Sequence, residues 1–207
     1  MTRILHILHH SPSLFHDEAL DALLKRSAWH LQVAHFQRKY LANCEVECWA
    51  PERRADRIVT TQQGDITSVF FPSYCFGYQK EVSPKLFGHL SQRSRDFDWV
   101  FLHGSVSYFS SLLLRRFGRR ARFVVQNHGE RTTLTRTLRP GARKPLDYWL
   151  RVRLEQSALS NAHKLLCLNS ENLDDYRRNG VPEEKLALCT MGVDLSLFTR
   201  SPTRKRP

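Results

Sequence analysis

The 207-residue chain is 41% hydrophobic and 25% charged and carries a formal net charge of +12 at pH 7. Its length and balance fit one globular domain with a real core, and no stretch reaches the roughly 20 apolar residues of a membrane span. The positive charge favours polyanions (nucleic acid, anionic lipid or phosphorylated small molecules) without choosing among them.

Arg3 to Leu8 reads as a first buried strand, ended by the turn-rich loop His9-His10-Ser11-Pro12-Ser13. Asp17 and Glu18 favour a helix start, because acidic side chains complement exposed amides there. This helical region runs to about Ala42. Trp29, Val33, Phe36 and Tyr40 form an apolar stripe that is read as its packed face. Arg26, His30, Arg38 and Lys39 lie off that stripe, so the helix also has the character of one that lies on a membrane.

Glu45 to Trp49 is a second strand and Ile66 to Phe71 a third, with a polar, exposed segment from Glu52 to Gly64 between them. Pro84 to Arg95 forms a helix, and Trp99 to Leu102 a fourth strand. Ser105 to Phe117 is a helix with Ser105 as its cap and Gly118 as its stop. Ala121 to Gln126 is the fifth strand, followed by a basic loop from Arg131 to Lys144. Pro145 suits a first helical position. Leu146, Leu150, Leu154 and Ala158 then repeat every four residues, with Trp149 beside them, as one buried face. Lys164 to Leu168 is the sixth strand, Ser170 to Asn179-Gly180 a short helix, and Lys185 to Cys189 the last strand.

Strand and helix patterns alternate throughout. The crossovers are therefore helical and right-handed, and the fold class is α/β: a parallel sheet of about seven strands with helices on both faces. Of five cysteines, four lie in apolar strand-like runs, where a thiol acts as a small hydrophobe. Cys44 and Cys48 are four apart with no second pair, so neither a metal site nor a disulfide is expected. The odd count and the lack of a signal peptide point to a reducing, cytoplasmic setting.

In such sheets ligands bind beyond the carboxyl ends of the strands. Four polar clusters fall there: His9-His10-Ser11, His103-Gly104-Ser105, His128-Gly129-Glu130 and Asn169-Ser170. Glycine lets a ligand approach the backbone, and histidine hydrogen-bonds hydroxyls or phosphate near neutral pH. His103 and His128 both end apolar strands and are the first candidates. His6, inside strand one, is read as a packed core histidine. No G-x-S-x-G elbow, no phosphate loop and no G-x-G-x-x-G turn after strand one is present, which disfavours a plain nicotinamide enzyme or kinase.

Four longer segments add a resemblance. Asp98 to Gly104 is similar to a strand ending in a sugar-facing His, and Val124 to Gly129 to a "v-x-H-g" strand. Glu155, Ala158 and Ala162 to Ser170 resemble an "E…ad-x-vi-x-S" segment. Gly180-Val181-Pro182 with Lys185, then Met191-Gly192-Val193-Asp194 and Phe198, resemble "G-v-p-x-x-k-i-x-v-i-x-n-G-v-D-x-x-x-F", with Thr190-Met191 in place of Pro-Asn. Together they resemble the amino-terminal half of a family 4 glycosyltransferase of the two-domain GT-B fold.

The resemblance implies transfer of a sugar from a nucleotide sugar to a glycan or lipid-linked acceptor, with retention at the anomeric carbon, without a catalytic metal, and in polysaccharide biosynthesis. It implies that His103 contacts the donor sugar and that His128 lies near the reacting centre. It also implies that the loop with His10 and Ser11 approaches the diphosphate, although paired glycines are replaced here by Ser11-Pro12-Ser13. Residues 1–199 are expected to form the Rossmann-like domain and 200–207 a basic linker or disordered tail. The donor domain, with its paired glutamates, would lie beyond, in cis or in trans, and the chain alone would turn over slowly. Peripheral contact with the inner membrane face is a further expectation. The competing reading is a non-catalytic Rossmann-like module that holds nucleic acid or anionic lipid through Arg115-Arg116 and Arg119-Arg120-Arg122. No aromatics are interleaved there for base stacking, so nucleic acid is not expected.

Overall fold

The computed structural model describes residues 1–14, 29–76, 81–105, 107–134 and 146–189. The predicted helix start at Asp17, most of the basic loop up to Lys144, Pro145, the Met191 to Phe198 motif and the 200–207 tail lie outside the described residues.

Ten strands and five α-helices are described. In chain order they are β1 (Thr2–Leu8), α1 (Trp29–Tyr40), β2 (Cys44–Glu52), β3 (Val59–Gln63), β4 (Ile66–Pro72), β5 (Tyr74–Cys75), β6 (Glu81–Val82), α2 (Pro84–Arg93), β7 (Trp99–His103), α3 (Tyr108–Phe117), β8 (Phe123–Gln126), α4 (Leu146–Leu159), β9 (Lys164–Cys167), α5 (Ser170–Arg178) and β10 (Leu186–Leu188). All but β5 and β6 join one sheet in the order β10-β9-β8-β7-β1-β2-β4-β3. The seven strands expected from the apolar runs are all present and parallel. The eighth, β3, lies antiparallel to β4 across a turn at Gly64 and Asp65. It falls in the segment expected to be merely polar. As an edge strand with polar residues on both faces, it lacks the apolar alternation that marks a strand.

Alternation along the strands divides the core. Leu5, Ile7, Val100, Leu102, Phe123, Val125, Leu165 and Cys167 face one side, against Leu86 and Leu90 of α2, Phe109, Leu113, Leu114 and Phe117 of α3, Leu159 of α4 and Tyr176 of α5. Ile4, Val46, Cys48 and Ile66 face the other side, where Ala34 of α1 packs on them. Helices therefore lie on both faces, and on the α1 side Phe101, Val124 and Leu166 line a groove beside Gln37 and Tyr40. Cys44, Cys48 and Cys167 are buried, whereas Cys75 and Cys189 are exposed.

Two helices present different faces from those their apolar stripes indicate. Phe36 and Tyr40 of α1 are 40% and 70% exposed, while Ala34 is fully buried and Gln37 points to β1. Leu146 and Leu150 of α4 are 76% and 62% exposed, and the inward face carries Tyr148, Val152, Glu155 and Leu159, with Ala158 the one member of the expected stripe that is buried in the core. In each case an inward polar group, Gln37 or Glu155, has a buried hydrogen-bond partner that removes the cost of burying it. Leu102→Ala is expected to lower the unfolding free energy by about 2–5 kcal/mol through transfer and cavity terms. Phe36→Ser and Leu150→Ser should each change it by less than about 0.5 kcal/mol. Urea denaturation of the three variants checks the ranking.

Candidate functional site

The chain runs β1, β2, β4 to one side and then returns past β1 to lay down β7, β8, β9 and β10 on the other. β1 and β7 are thus the adjacent strands where the winding reverses, which is where open parallel sheets form a ligand crevice. Leu8 pairs with His103, and His103 with Gln126, so the loops after β1, β7 and β8 emerge side by side.

Five histidines gather at and below this edge. His6 Nδ1 lies 2.7 Å from His103 Nε2, and His6 Nε2 lies 2.7 Å from Gln37 Oε1. The His103 ring stacks on His6 at 5.0 Å and on His128 at 5.8 Å between centroids. The His9 Nδ1–H donates to the His103 carbonyl, and His10 meets His9 edge-on at 4.4 Å. His103 is only 1% exposed. His128, His9 and His10 are half-buried and form the outer layer. Burial lowers His6 and His128 from 6.5 to about 4. His10 is lowered to about 3 by burial and then by the nearby His9, with Glu130 pulling the other way. Among the described residues no three His, Cys, Asp or Glu side chains converge as metal ligands would.

Glu130 ties the three loops together. Its Oε2 accepts from the Ser105 amide at 3.0 Å, and its Oε1 lies 3.2 Å from His9 Nε2. Behind it, buried Asn127 donates to the Glu130 carbonyl at 2.9 Å and to the Tyr176 hydroxyl at 2.9 Å, and accepts from the Gly129 amide at 2.6 Å. Tyr176 in turn donates to Ser105 Oγ at 2.6 Å. The segment after Glu130 is held by carboxylates on two helices. Asp175 takes the Thr132 amide at 2.7 Å, and Glu155 takes the Thr133 amide at 3.2 Å.

The predicted site residues therefore divide into two groups. His10, His128, Gly129 and Glu130 reach the surface of the edge. Asn169 and Ser170 are exposed at the start of α5, where the Asn169 side chain caps the helix by accepting from the Asn172 amide at 2.9 Å. Gly129, Asn169, Glu171 and Asn172 line a polar cavity of about 290 Å³ together with Arg131 and Arg178. His103, Gly104, Ser105 and Ser11 instead lie inside. Ser105 is buried against Asn127 and Tyr176, and Ser107 rather than Ser105 caps α3, accepting from the Ser110 amide at 3.0 Å. Ser11 is fully buried. Its amide donates to Glu81 at 2.8 Å and its hydroxyl to Glu52 at 2.9 Å. Glu52 also accepts from the Ser13 amide at 3.1 Å, and burial raises Glu81 above the usual carboxylate range. The expected approach of a diphosphate to this loop thus meets committed donors and two carboxylates.

Gly104 and Gly129 both have positive φ, at 91° and 88°, but differ in surroundings. A Cβ on Gly104 would overlap the His9 ring, whereas one on Gly129 would meet nothing within 4 Å. The close approach that Gly104 permits is taken by the protein's own imidazole. The space at Gly129 is open.

Sequence reasoning missed His9's dual contacts and the supporting Gln37, Glu52, Glu81, Asn127 and Tyr176. Only Asn127 carried a signal, since it directly precedes His128 at the end of the same apolar run.

A family model described as Glycosyltransferase Family 4 matches residues 31–197. No curated protein matches. Among solved structures, sucrose-phosphate synthase from Thermosynechococcus elongatus is similar with a TM-score of 0.59 and 13% identity, over 96% of this chain and 50% of that one. HepE of Anabaena, solved in complex with UDP, gives 0.54 and 12%, over 98% of this chain and 47% of that one. The chain spans about half the length of either, and at these identities the likeness concerns the fold.

Two outcomes follow from the site's geometry. Gly129→Ala should cost about 1–2 kcal/mol for its left-handed backbone alone, and Gly104→Ala should cost more because it also displaces His9. Paired thermal melts compare them. The unfolded chain binds protons on His6, His10 and His128 near pH 6.5, while the folded chain resists until about pH 4 or below. Stability is therefore fully present above about 6.5 and falls as the pH drops, by up to about 1.4 kcal/mol per pH unit for each extra proton on the unfolded chain. Glu81 and Glu155, both raised by burial, act with the opposite sign. Urea unfolding from pH 7 to pH 5 should show a shallower slope for His128→Gln than for the unaltered chain.

Proposed function

The chain belongs to glycosyltransferase family 4, with its sheet as one Rossmann-like half of the GT-B fold, and from that premise we propose that it forms the acceptor side of a sugar-transfer cleft. The reaction is transfer from a nucleotide sugar to a hydroxyl of a glycan or lipid-linked acceptor, with retention at the anomeric carbon and without a catalytic metal. The observation that carries this reading is the His128-Gly129 pair: a half-buried imidazole next to open space, at the strand edge beside the reversal of winding.

Burial keeps the His128 ring neutral at pH 7. A neutral imidazole offers one donor and one acceptor, which suits a sugar hydroxyl close to the reacting carbon. His103 supports that ring from behind. The cavity of about 290 Å³ beside Gly129, lined by carboxylates, amides and arginines, takes a hydroxyl-bearing part of the acceptor. The buried, carboxylate-backed loop at Ser11 is a poor phosphate site. The nucleotide is therefore assigned to a second domain, in cis or in trans, a reading supported by the half-length match to the solved relatives. UDP, present in the HepE complex, is the first nucleotide to try. The work is placed in the cytoplasm, with peripheral contact at the inner membrane face when the acceptor is lipid-linked. No helix among the described residues is long and apolar enough to cross a membrane.

The test joins the chain to its donor-binding domain and follows acceptor-dependent release of nucleoside diphosphate from a panel of UDP-hexoses. His128→Ala should lower kcat by about 10²–10⁴-fold, the range for a positioned proton-transfer or hydrogen-bonding group, with an unchanged melting temperature. The chain without that domain should release little or none. Full transfer by His128→Ala would defeat the assignment.

A further inference from the structure

Half-buried Gln37 sits on α1, away from the carboxyl-edge loops, yet it begins a line of polar atoms that runs through buried His6 and His103 to the candidate site. Its Oε1 lies 2.7 Å from His6 Nε2, and His6 Nδ1 lies 2.7 Å from His103 Nε2. His6 and His103 are both buried, their rings are nearly parallel at 14°, and the next ring in the stack is His128.

The direction of this line follows from donor and acceptor chemistry. A carboxamide oxygen only accepts, so the hydrogen between Gln37 and His6 is on His6 Nε2. Burial lowers His6 to about 4, so at neutral pH the ring carries a single N–H and Nδ1 holds a lone pair. Two lone pairs cannot face each other at 2.7 Å, so His103 Nε2 must carry the hydrogen.

We propose that Gln37 is a positioning residue which, through His6, holds His103 with its hydrogen on Nε2. In the neutral ring Nδ1 is then an acceptor. It can take a hydrogen from a hydroxyl or a water but offers none to a phosphate oxygen. The role in sugar transfer rests on the function proposed above; the hydrogen-bond line itself does not. The helix-to-histidine link also accounts for α1 turning Gln37 inward while Phe36 and Tyr40 remain exposed.

The experiment is two-bond ¹H–¹⁵N correlation spectroscopy of the full chain, ¹⁵N-labelled at histidine, at neutral pH, with His103 assigned through His103→Gln. The expected result is a single tautomer at His103, protonated at Nε2. A His103 signal protonated at Nδ1 overturns the proposal with no variant needed. Gln37→Leu keeps the bulk and removes the acceptor. It should replace the single-tautomer pattern at His103 with a mixed one while circular dichroism stays unchanged, and an unaltered pattern also overturns the proposal. If Gln37→Leu does not fold, the spectrum of the unaltered chain still decides. Failure of the functional reading is separate: it shows as full transfer by His128→Ala and leaves the His103 tautomer where it is.

Discussion

A buried carboxylate or imidazole must find its hydrogen-bond partners inside the protein, because an unmet one costs about 1–3 kcal/mol or more. That constraint shapes the carboxyl edge of this sheet. Glu52 and Glu81 capture the loop after β1, Glu130 joins three loops, and Asp175 and Glu155 fix the segment after β8. Each carboxylate accepts from at least one backbone amide or hydroxyl on a segment distant in sequence. The loops at this edge are therefore cross-linked by charge-assisted hydrogen bonds, which are the stronger kind.

Among the described residues, the two glycines of the edge face different surroundings. At Gly104 the fold brings His9 down onto the backbone, and Ser105 and Ser11 face inward. At Gly129 the backbone is bare, with His128 on one side and the polar cavity on the other. The two glycines have the same sign of φ and both follow strands of the edge, but only one of the two is next to free volume. Likewise His103, at the end of β7, and His128, two residues beyond β8, have stacked rings, yet one is the inner layer and the other the outer. A stacked, buried partner limits the rotamers open to His128, which is what a group that orients a hydroxyl requires.

The pattern of charges fits this division. Among the described residues, most basic side chains are exposed, for example Arg115, Arg116, Arg119 and Arg120. Of the edge carboxylates, Glu52, Glu81, Glu155 and Asp175 are buried and Glu130 is half-buried. Net charge thus describes the outer surface and says little about the crevice.

The amino-acid sequence by itself determined the parallel sheet. Seven apolar runs became seven parallel strands because a strand buried on both faces has to be apolar along its whole length. It also determined which strand ends carry histidine and glycine. It could not reveal β3, whose two polar faces leave no period to read, nor the inward faces of α1 and α4. There the apolar stripes lost to Gln37 and Glu155, whose partners His6 and Thr133 are 31 and 22 positions away. Only the tertiary structure decided which edge residues are lining and which are support. Ser11, Gly104 and Asn127 look alike in one dimension. Whether a polar group meets solvent or a buried partner depends on strand order and register, and those are set by long-range pairing.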